Sequence, residues 1–490
     1  MQRLTNIYRC LLFALVAVSL CLTSCKEQTV SSDPSLMLAF SQDTVCFDTV
    51  FTGHGSSTKN IMVYNPNANA VVIDRITLKG QWFRLNIDGE NDPDRLRNIT
   101  LNGHDSLYLF VKAKVEEQTT DMPVLVEDTI WFFTNGNRQY IALQAVGINV
   151  SMIRSEQRLT TFDGDYTFTS SRPYLIYDTL VINGKARFAA GSTLYMHQGS
   201  NLILQGGVSA RGTLDKPVRI TSDRLDRLFD HVPYQSASGG WGGVYLVQPN
   251  GLVHNDTLDY VEILNGNVGL YCSSPFVKTL PSLILSNSRI HNHAIYGVVL
   301  QNTDAEIWNT EISNCASFCL FLEGGTHTLT HNTIASYFGW PYTNINIHNV
   351  SRRDVPALYI NNLEGAANPT VVRIRNSIVA GARKNNLESA VPLPEDYAGE
   401  FYGNYLQTDT LNAAFSRENV YAQDSDRIFV NTDYKYKEYV YYDFRLDSLS
   451  VALGIGDSLL AQDQKYISDR KGVSRREIKP DAGCYQRVKE

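Results

Sequence analysis

The sequence predicts an all-β protein in two parts: an antiparallel β-sandwich over 36–150, then a right-handed single-stranded parallel β-helix over 151–490. Three observations carry this expectation. Between Leu36 and Val150 apolar and polar residues alternate with period two between turn signals, the pattern of half-buried strands. From about residue 183 onward the apolar pieces are very short and punctuated by glycine. Finally, Asn followed by Ser or Thr returns as Asn287-Ser288, Asn309-Thr310, Asn332-Thr333 and Asn376-Ser377, at gaps of 22, 23 and 44 residues. A repeat of that length, folded as three short strands, is a coil of a parallel β-helix.

Taken in order, the first element belongs to neither fold. Arg3 and Arg9 flank the start of CLLFALVAVSLCL (10–22), an apolar run too short to span a bilayer and placed where a secretory signal sits. It ends in Leu22-Thr23-Ser24-Cys25. Leu, two small residues and Cys resembles the lipobox of bacterial lipoproteins. The resemblance implies that 1–24 is a cleaved signal peptide and that Cys25 is acylated, which anchors the protein to the membrane. Several acyl chains hold such an anchor almost permanently, since each buried methylene contributes about 0.8 kcal/mol. Lys26-Glu27 resembles the short export signal of Bacteroidota-type lipoproteins, which implies an outer-membrane protein displayed on the cell surface. Residues 25–35 then form the lipidated N-terminus and a polar tether.

The remaining chain, about 465 residues, has room for two domains and contains no other membrane-length apolar run. Its net charge of −7 is dispersed and forms no basic stripe, which argues against nucleic acid as a partner. Cys46, Cys272, Cys315, Cys319 and Cys484 are odd in number and scattered, so no disulfide framework is indicated. Cys315 and Cys319 have no His or Cys at metal spacing, and all five read as buried structural thiols, with no metal or cofactor implied.

In the sandwich, TVCFDTVF (44–51), KNIMVYN (59–65), DSLYLFVKAKV (105–115) and DTIWFFT (128–134) alternate as strands. Asn135-Gly136 between DTIWFFT and RQYIALQAVG (138–147) is a type I′ hairpin signal. FDTVFTGHGSSTKNIMVYNPN resembles the opening of an immunoglobulin-like module found ahead of larger domains on bacterial lipoproteins, which implies a spacer or docking role.

In the β-helix, each coil lies over the previous one at roughly 4.8 Å, so equivalent residues stack in columns. An Asn at a tight corner bonds its own turn and the Asn of the next coil, satisfying backbone groups that the corner would otherwise strand. Asn287, Asn309, Asn332 and Asn376 are therefore read as a structural corner ladder. The flanking pairs Leu285 and Ile290, Ile307 and Ile312, Leu329 and Ile334, and Ile374 and Ile378 are read as inward columns. GGVSARGTLDKPVRI (206–220) and GGWGGVYL (239–246) resemble the first coils of secreted β-helix proteins of the pectate-lyase-like fold. DRKGVSRREIKPDAGCYQ (469–486) resembles their closing phrase, departing at Cys484 and Gln486, and implies a segment that seals the last coil. The irregular stretch 384–430 reads as an insertion leaving the helix.

Many proteins resembling this fold cleave acidic polysaccharides. Hydrolases resembling polygalacturonases place three Asp residues together, since carboxylate separation sets the stereochemical course. Here Asn302-Thr303-Asp304 has the form of their Asn-Thr-Asp motif but, without its partners, reads as a coil turn, and Arg373-Ile374-Arg375 stands where they have Arg-Ile-Lys. There is no Asp-Asp pair, and the only Gly-His-Gly (53–55) lies in the sandwich. Lyases need a base beside calcium held by clustered acids, and no such cluster is legible. His291, His293, His327 and His331 read as solvated corner residues. No catalytic residue is assigned. The binding expectation rests on tyrosine in DYAGEFYGNYL (396–406) and YKYKEYVYYDF (434–444), with Tyr397, Tyr402, Tyr405, Tyr434 and Tyr436 as candidate aromatics for a sugar face or a protein interface, and Tyr439, Tyr441 or Phe444 packing inward. The sequence thus points to a non-catalytic binding protein for glycan, or a subunit of an outer-membrane protein complex. The alternative is a polysaccharide lyase or glycoside hydrolase of the β-helix class.

Overall fold

The computed structural model describes residues 29–91, 95–229, 232–249, 252–274, 279–338, 355–362, 368–390, 400–408, 418–433, 441–476 and 479–488. Cys25, the signal segment, Tyr397, Tyr434, Tyr436 and Tyr439 lie outside them. The chain divides into two compact units at Asn149–Val150.

The first unit is a two-sheet sandwich. A four-stranded antiparallel sheet (Ala39–Phe40, Lys59–Tyr64, Ser106–Ala113, Phe83–Ile87) and a five-stranded sheet share one apolar cluster. Ile61, Val63, Leu109 and Val111 come from the first sheet, and Ile73, Ile130, Phe132 and Ile141 from the second. The period-two pattern is what allows this, because alternate residues point to one face. In the five-stranded sheet the long hairpin Val124–Thr134 and Asn137–Ile148 turns at Asn135-Gly136, both at positive φ (51° and 77°), as a type I′ turn demands. Cys46 lies exposed on Thr44–Phe51, so it is not a buried thiol, whereas the other four described cysteines are buried.

The second unit is a parallel β-helix with three lateral sheets and, among the described residues, nine coils that have a strand in all three. The first sheet has eleven strands, from Ser151–Ile153 to Val420–Tyr421. The second has nine, from Leu159–Phe162 to Leu387–Ser389, and the third nine, from Tyr166–Phe168 to Phe401–Tyr402. Inside, equivalent apolar residues stack: Leu258, Leu285, Ile307, Leu329, Ile374 and Phe401 form one column, and Ile263, Ile290, Ile312, Ile334 and Val379 another.

The strand register corrects two columns. At the corner between third and first sheets, Asn287, Asn309 and Asn376 hold φ near 50°, and the fourth member is His331 (φ 53°), not Asn332. The true spacings along that column are 22, 22 and 45 residues. Asn332 instead joins the hydroxyl column beside it. There each side-chain oxygen accepts the backbone N–H of the coil before. Val261 N donates to Ser288 Oγ (3.0 Å), Thr310 N to Asn332 Oδ1 (3.0 Å), Asn332 N to Ser377 Oγ (3.0 Å), and Ser377 N to Asn404 Oδ1 (2.8 Å). Asn supplies the left-handed backbone in one column, since its short side chain tolerates that region, and a side-chain acceptor supplies the satisfied backbone in the other. Ile378 is displaced with Asn332. It pairs with Thr333 and points outward, while Val379 takes the inward place.

A second Asn ladder, missed by the sequence reading, lines the corner between first and second sheets. Asn265, Asn292 and Asn314 all have positive φ. Asn292 Nδ2 donates to Asn265 Oδ1 (2.9 Å) and Asn314 Nδ2 to Asn292 Oδ1 (3.2 Å).

The described parts of 384–430 do not leave the helix as an insertion. Leu387–Ser389, Phe401–Tyr402, Tyr405–Leu406 and Val420–Tyr421 extend all three sheets, although 391–399 and 409–417 lie outside the described residues. Nor does the C-terminal phrase act at the last coil. It runs back as a strap over the outer face of the first sheet. Gly483 N donates to Asn376 O, Cys484 N to Thr333 Oγ1, Arg475 Nη1 to Asn309 Oδ1 (2.8 Å) and Arg470 Nε to Ser288 O (3.0 Å), so it crosses four successive coils. Beneath it Ile378, Tyr405, Phe444, Ala482 and Cys484 form a second apolar layer.

Candidate functional site

Two arrangements of chemically active side chains stand out, one sealed and one open. The sealed one lies under the strap. Register places Arg219, Glu262, Arg289 and Glu311 in one outward column of the first sheet, alternating in charge. Arg219 Nε meets Glu262 at 2.9 Å, and Arg289 Nε meets Glu311 at 3.0 Å. The strap adds Arg470, 3.1 Å from Glu262, and the Tyr485 hydroxyl, which donates to Glu311. Burial pushes the Glu311 carboxyl up, but the charges of Arg289 and Arg470, with the Ser313 hydrogen bond, outweigh it and hold the group well below the usual carboxylate range. Ser313 gives its proton to Glu311 (2.6 Å), so it accepts from His291 Nδ1 (2.7 Å), and the ring then accepts at Nε2 from Tyr441 (2.8 Å). Burial, then the nearby Arg289 charge, keeps this imidazole neutral.

These groups are poised for proton transfer in type but not in access. Glu311 and His291 are 2% and 1% exposed. The network fastens the strap, since each buried charge meets a partner. The four histidines read as solvated corners are all buried. His293 and His327 face the interior, and burial pushes both down to about 4. Asp304, at its coil corner, accepts from Thr326 N (2.8 Å), and Asn302 holds positive φ there, as a turn requires. Among the described residues, no three His, Cys, Asp or Glu side chains gather as a metal-holding group.

The open arrangement is on the second sheet. Tyr245, Tyr271, Val299, Phe321 and Tyr359 occupy one outward column on successive coils. All but Val299 keep part of their surface in water. Four strand spacings separate the first from the last, roughly 19 Å. Tyr245 and Tyr271 rings lie 5.9 Å apart, and Phe321 and Tyr359 stack at 5.9 Å and 23°. Phe318 packs on Tyr359 (5.2 Å) and Tyr296 on Phe318 (6.1 Å), widening the surface to one side. On the other side runs a polar column of Gln301, Glu323 and Asn361. Tyr271 Oη donates to Gln301 (2.5 Å), Gln301 Nε2 to Glu323 Oε1 (3.1 Å), and Asn361 Nδ2 to Glu323 Oε2 (2.5 Å). The result is an aromatic ledge edged by amides and one carboxylate. Flat rings offer stacking faces, and the fixed amide edge offers donors and acceptors in register with them.

Neither of the two described tyrosines singled out from the sequence belongs to this surface. Tyr405 is 1% exposed, with its hydroxyl donated to Asp426 (3.1 Å), and belongs to the layer beneath the strap. It is core, not a binding ring. Tyr402 is half-buried at the end of the third sheet. Tyr397, Tyr434 and Tyr436 lie outside the described residues. A signal for the true ledge was present: an aromatic between aliphatic or Cys neighbours, in VYL (244–246), LYC (270–272), LFL (320–322) and LYI (358–360), in four of five successive coils.

No family model matches the chain, and no curated relative matches it. Among solved structures it is similar to a protein of unknown function from Porphyromonas gingivalis (10% identity, TM-score 0.18, 25% of this chain and 50% of that one). It is also similar to a PapD-like domain of human CEP192 (12%, TM-score 0.17, 27% and 94%) and to a family 123 glycoside hydrolase from Clostridium perfringens (9%, TM-score 0.18, 27% and 30%). The chain thus spans about half the length of the first of these.

Proposed function

We propose that this chain is a lipid-anchored outer-membrane lipoprotein, displayed on the cell surface, that binds glycan without turning it over. In this reading Cys25 carries the acyl chains, the sandwich is an immunoglobulin-like spacer, and the ledge on the second sheet is the binding face. The observation that carries it is the column Tyr245, Tyr271, Phe321 and Tyr359 beside Gln301, Glu323 and Asn361, open to solvent on a rigid stacked scaffold. Aromatic faces stack on the apolar faces of sugar rings, and a fixed row of amides distinguishes hydroxyl patterns.

The test is a panel of polysaccharides in affinity electrophoresis, followed by calorimetry on the best binder. Tyr359→Ala should weaken binding ten- to thirtyfold, as expected for an aromatic anchor, while Tyr405→Phe should leave affinity unchanged. Equal affinity for Tyr359→Ala and wild type removes the ledge as the site. Turnover of a bound polysaccharide would overturn the non-catalytic part, and a stoichiometric protein partner in place of glycan would make the chain an assembly subunit. For the anchor, Cys25→Ala should abolish acyl labelling and membrane association, and an unchanged membrane fraction would overturn it.

A further inference from the structure

The outer face of the five-stranded sheet in the sandwich is unlike the rest of an acidic molecule. Cross-strand register sets Arg97, Arg75, Phe133 and Arg138 in one row across four strands, and Trp131 and Tyr140 in the next. All three arginines and Tyr140 are exposed, and Trp131 and Phe133 are half-exposed. The Arg75 guanidinium lies 4.0 Å from the Phe133 ring centroid, and that of Arg138 lies 4.2 Å from Trp131. Trp131 and Tyr140 pack at 5.2 Å. Acidic groups farther along the same hairpin are already engaged: Glu127 accepts from Gln144 and Asp128 from the Gly80 and Thr129 backbone.

The N-terminal segment reaches the same end of the sheet. Asn135 Nδ2, in the hairpin turn, donates to Asp33 O (3.0 Å), Asn137 Nδ2 to Pro34 O (2.5 Å), and Gln139 exchanges two hydrogen bonds with the Leu38 backbone. Only eight residues separate Cys25 from Asp33. Fully extended they reach under about 30 Å.

From this we infer that the face of Arg75, Arg97, Arg138, Trp131, Phe133 and Tyr140 rests on the membrane that carries the anchor and binds the phosphate headgroups of its lipids. The inference rests on acylation of Cys25, which holds the hairpin tip beside the bilayer. Arginine forks match phosphate oxygens, and the guanidinium groups of Arg75 and Arg138 each lie over a ring of the same face. Trp and Tyr, apolar with one polar atom, settle at the headgroup level. Contact there holds the sandwich against the membrane rather than on a free tether.

The test uses the full mature chain with Cys25→Ser, so that no acyl chain contributes, and co-sedimentation with vesicles of phosphatidylglycerol and phosphatidylcholine (1:1) or of phosphatidylcholine alone. Binding is expected to the anionic vesicles only and to fall with salt. Each arginine near an anionic surface contributes about fivefold in partitioning, so Arg75→Ala with Arg138→Ala should weaken it about twenty-five-fold, and the double lysine variant should retain most of it. In a second measurement, vesicles brominated near the headgroup should quench a Trp emission component that Trp131→Phe abolishes. No preference for anionic vesicles, or unchanged binding by the alanine variant, overturns the inference. Loss of acyl labelling at Cys25 with vesicle binding intact would instead remove the anchor and leave this face standing.

Discussion

The interior of the β-helix carries two imidazoles that make its stability depend on pH in a defined direction. His293 and His327 are fully buried, and burial lowers both from an ordinary 6.5 to about 4. At these two positions the unfolded chain therefore takes up protons that the folded chain refuses, and buried His291 and His331, also lowered, act in the same direction. Stability from these groups is present above pH 6.5, falls as the pH drops through that value, and levels off below about 4. At pH 5 each unfolded ring is almost fully charged and each buried ring almost neutral, so each costs about 2 kcal/mol. The pair costs about 4 kcal/mol, a large share of an ordinary domain's stability. Glu311 adds nothing at pH 5, because its contribution is lost only on acidification through the ordinary carboxylate range. Urea unfolding followed by Trp fluorescence at pH 7 and pH 5 measures the loss. The decisive variant is His327→Leu. His327 stacks between Ala305 and Val372 in an inward column, and Leu matches its volume and the polarity of that site. The variant should be at least as stable as wild type at pH 7 and lose about 2 kcal/mol less on going to pH 5. An identical pH dependence in wild type and variant would refute the reasoning.

Three other outcomes follow from the register and the strap. Asn332→Ala should cost about 1–3 kcal/mol by stranding Thr310 N–H, whereas Asn332→Ser keeps the acceptor and should be mild in a denaturant melt. At Asn309, where φ is 50° and Arg475 is bound, Ser gives no such protection, and Asn309→Ser should cost roughly as much as Asn309→Ala. Arg470→Met removes one partner from half-buried Glu262 and a nearby charge from buried Glu311, and should cost about 3–5 kcal/mol; limited proteolysis should then cut within 441–488 before the coils, and simultaneous loss of all fragments would argue against a separable strap.

How far the sequence could be read follows from which interactions repeat. Inward columns and corners recur because each coil must close on the one before, so Leu285, Ile307, Leu329 and Ile374 are legible at fixed spacing, and all are buried in one column. The one-residue slip at Asn332 arose because the corner asks for a left-handed backbone, not for asparagine as such. His331 meets that demand in its coil, and Asn332 happens to satisfy the neighbouring demand for a side-chain acceptor. A rule stated in dihedral angles would have kept the spacing at 22; a rule stated in letters could not. The last coils were misread for a different reason: strands of two residues such as Phe401–Tyr402 and Tyr405–Leu406 are too short to show any period. The strap marks a harder boundary. Arg219, Glu262, Arg289 and Glu311 do recur at one offset in their coils, and that alternation was available as a signal. Their partners Arg470 and Tyr485 lie 208 and 174 residues beyond Glu262 and Glu311, joined by no repeat. Local periodicity specifies what a coil does to its neighbour. It is silent on what returns to cover a face, and the same silence hid that, among the described residues, the aromatic column of the second sheet stays partly in water while the first sheet is covered. The contrast between those two faces, rather than any motif, is what directs the functional reading to Tyr245, Tyr271, Phe321 and Tyr359.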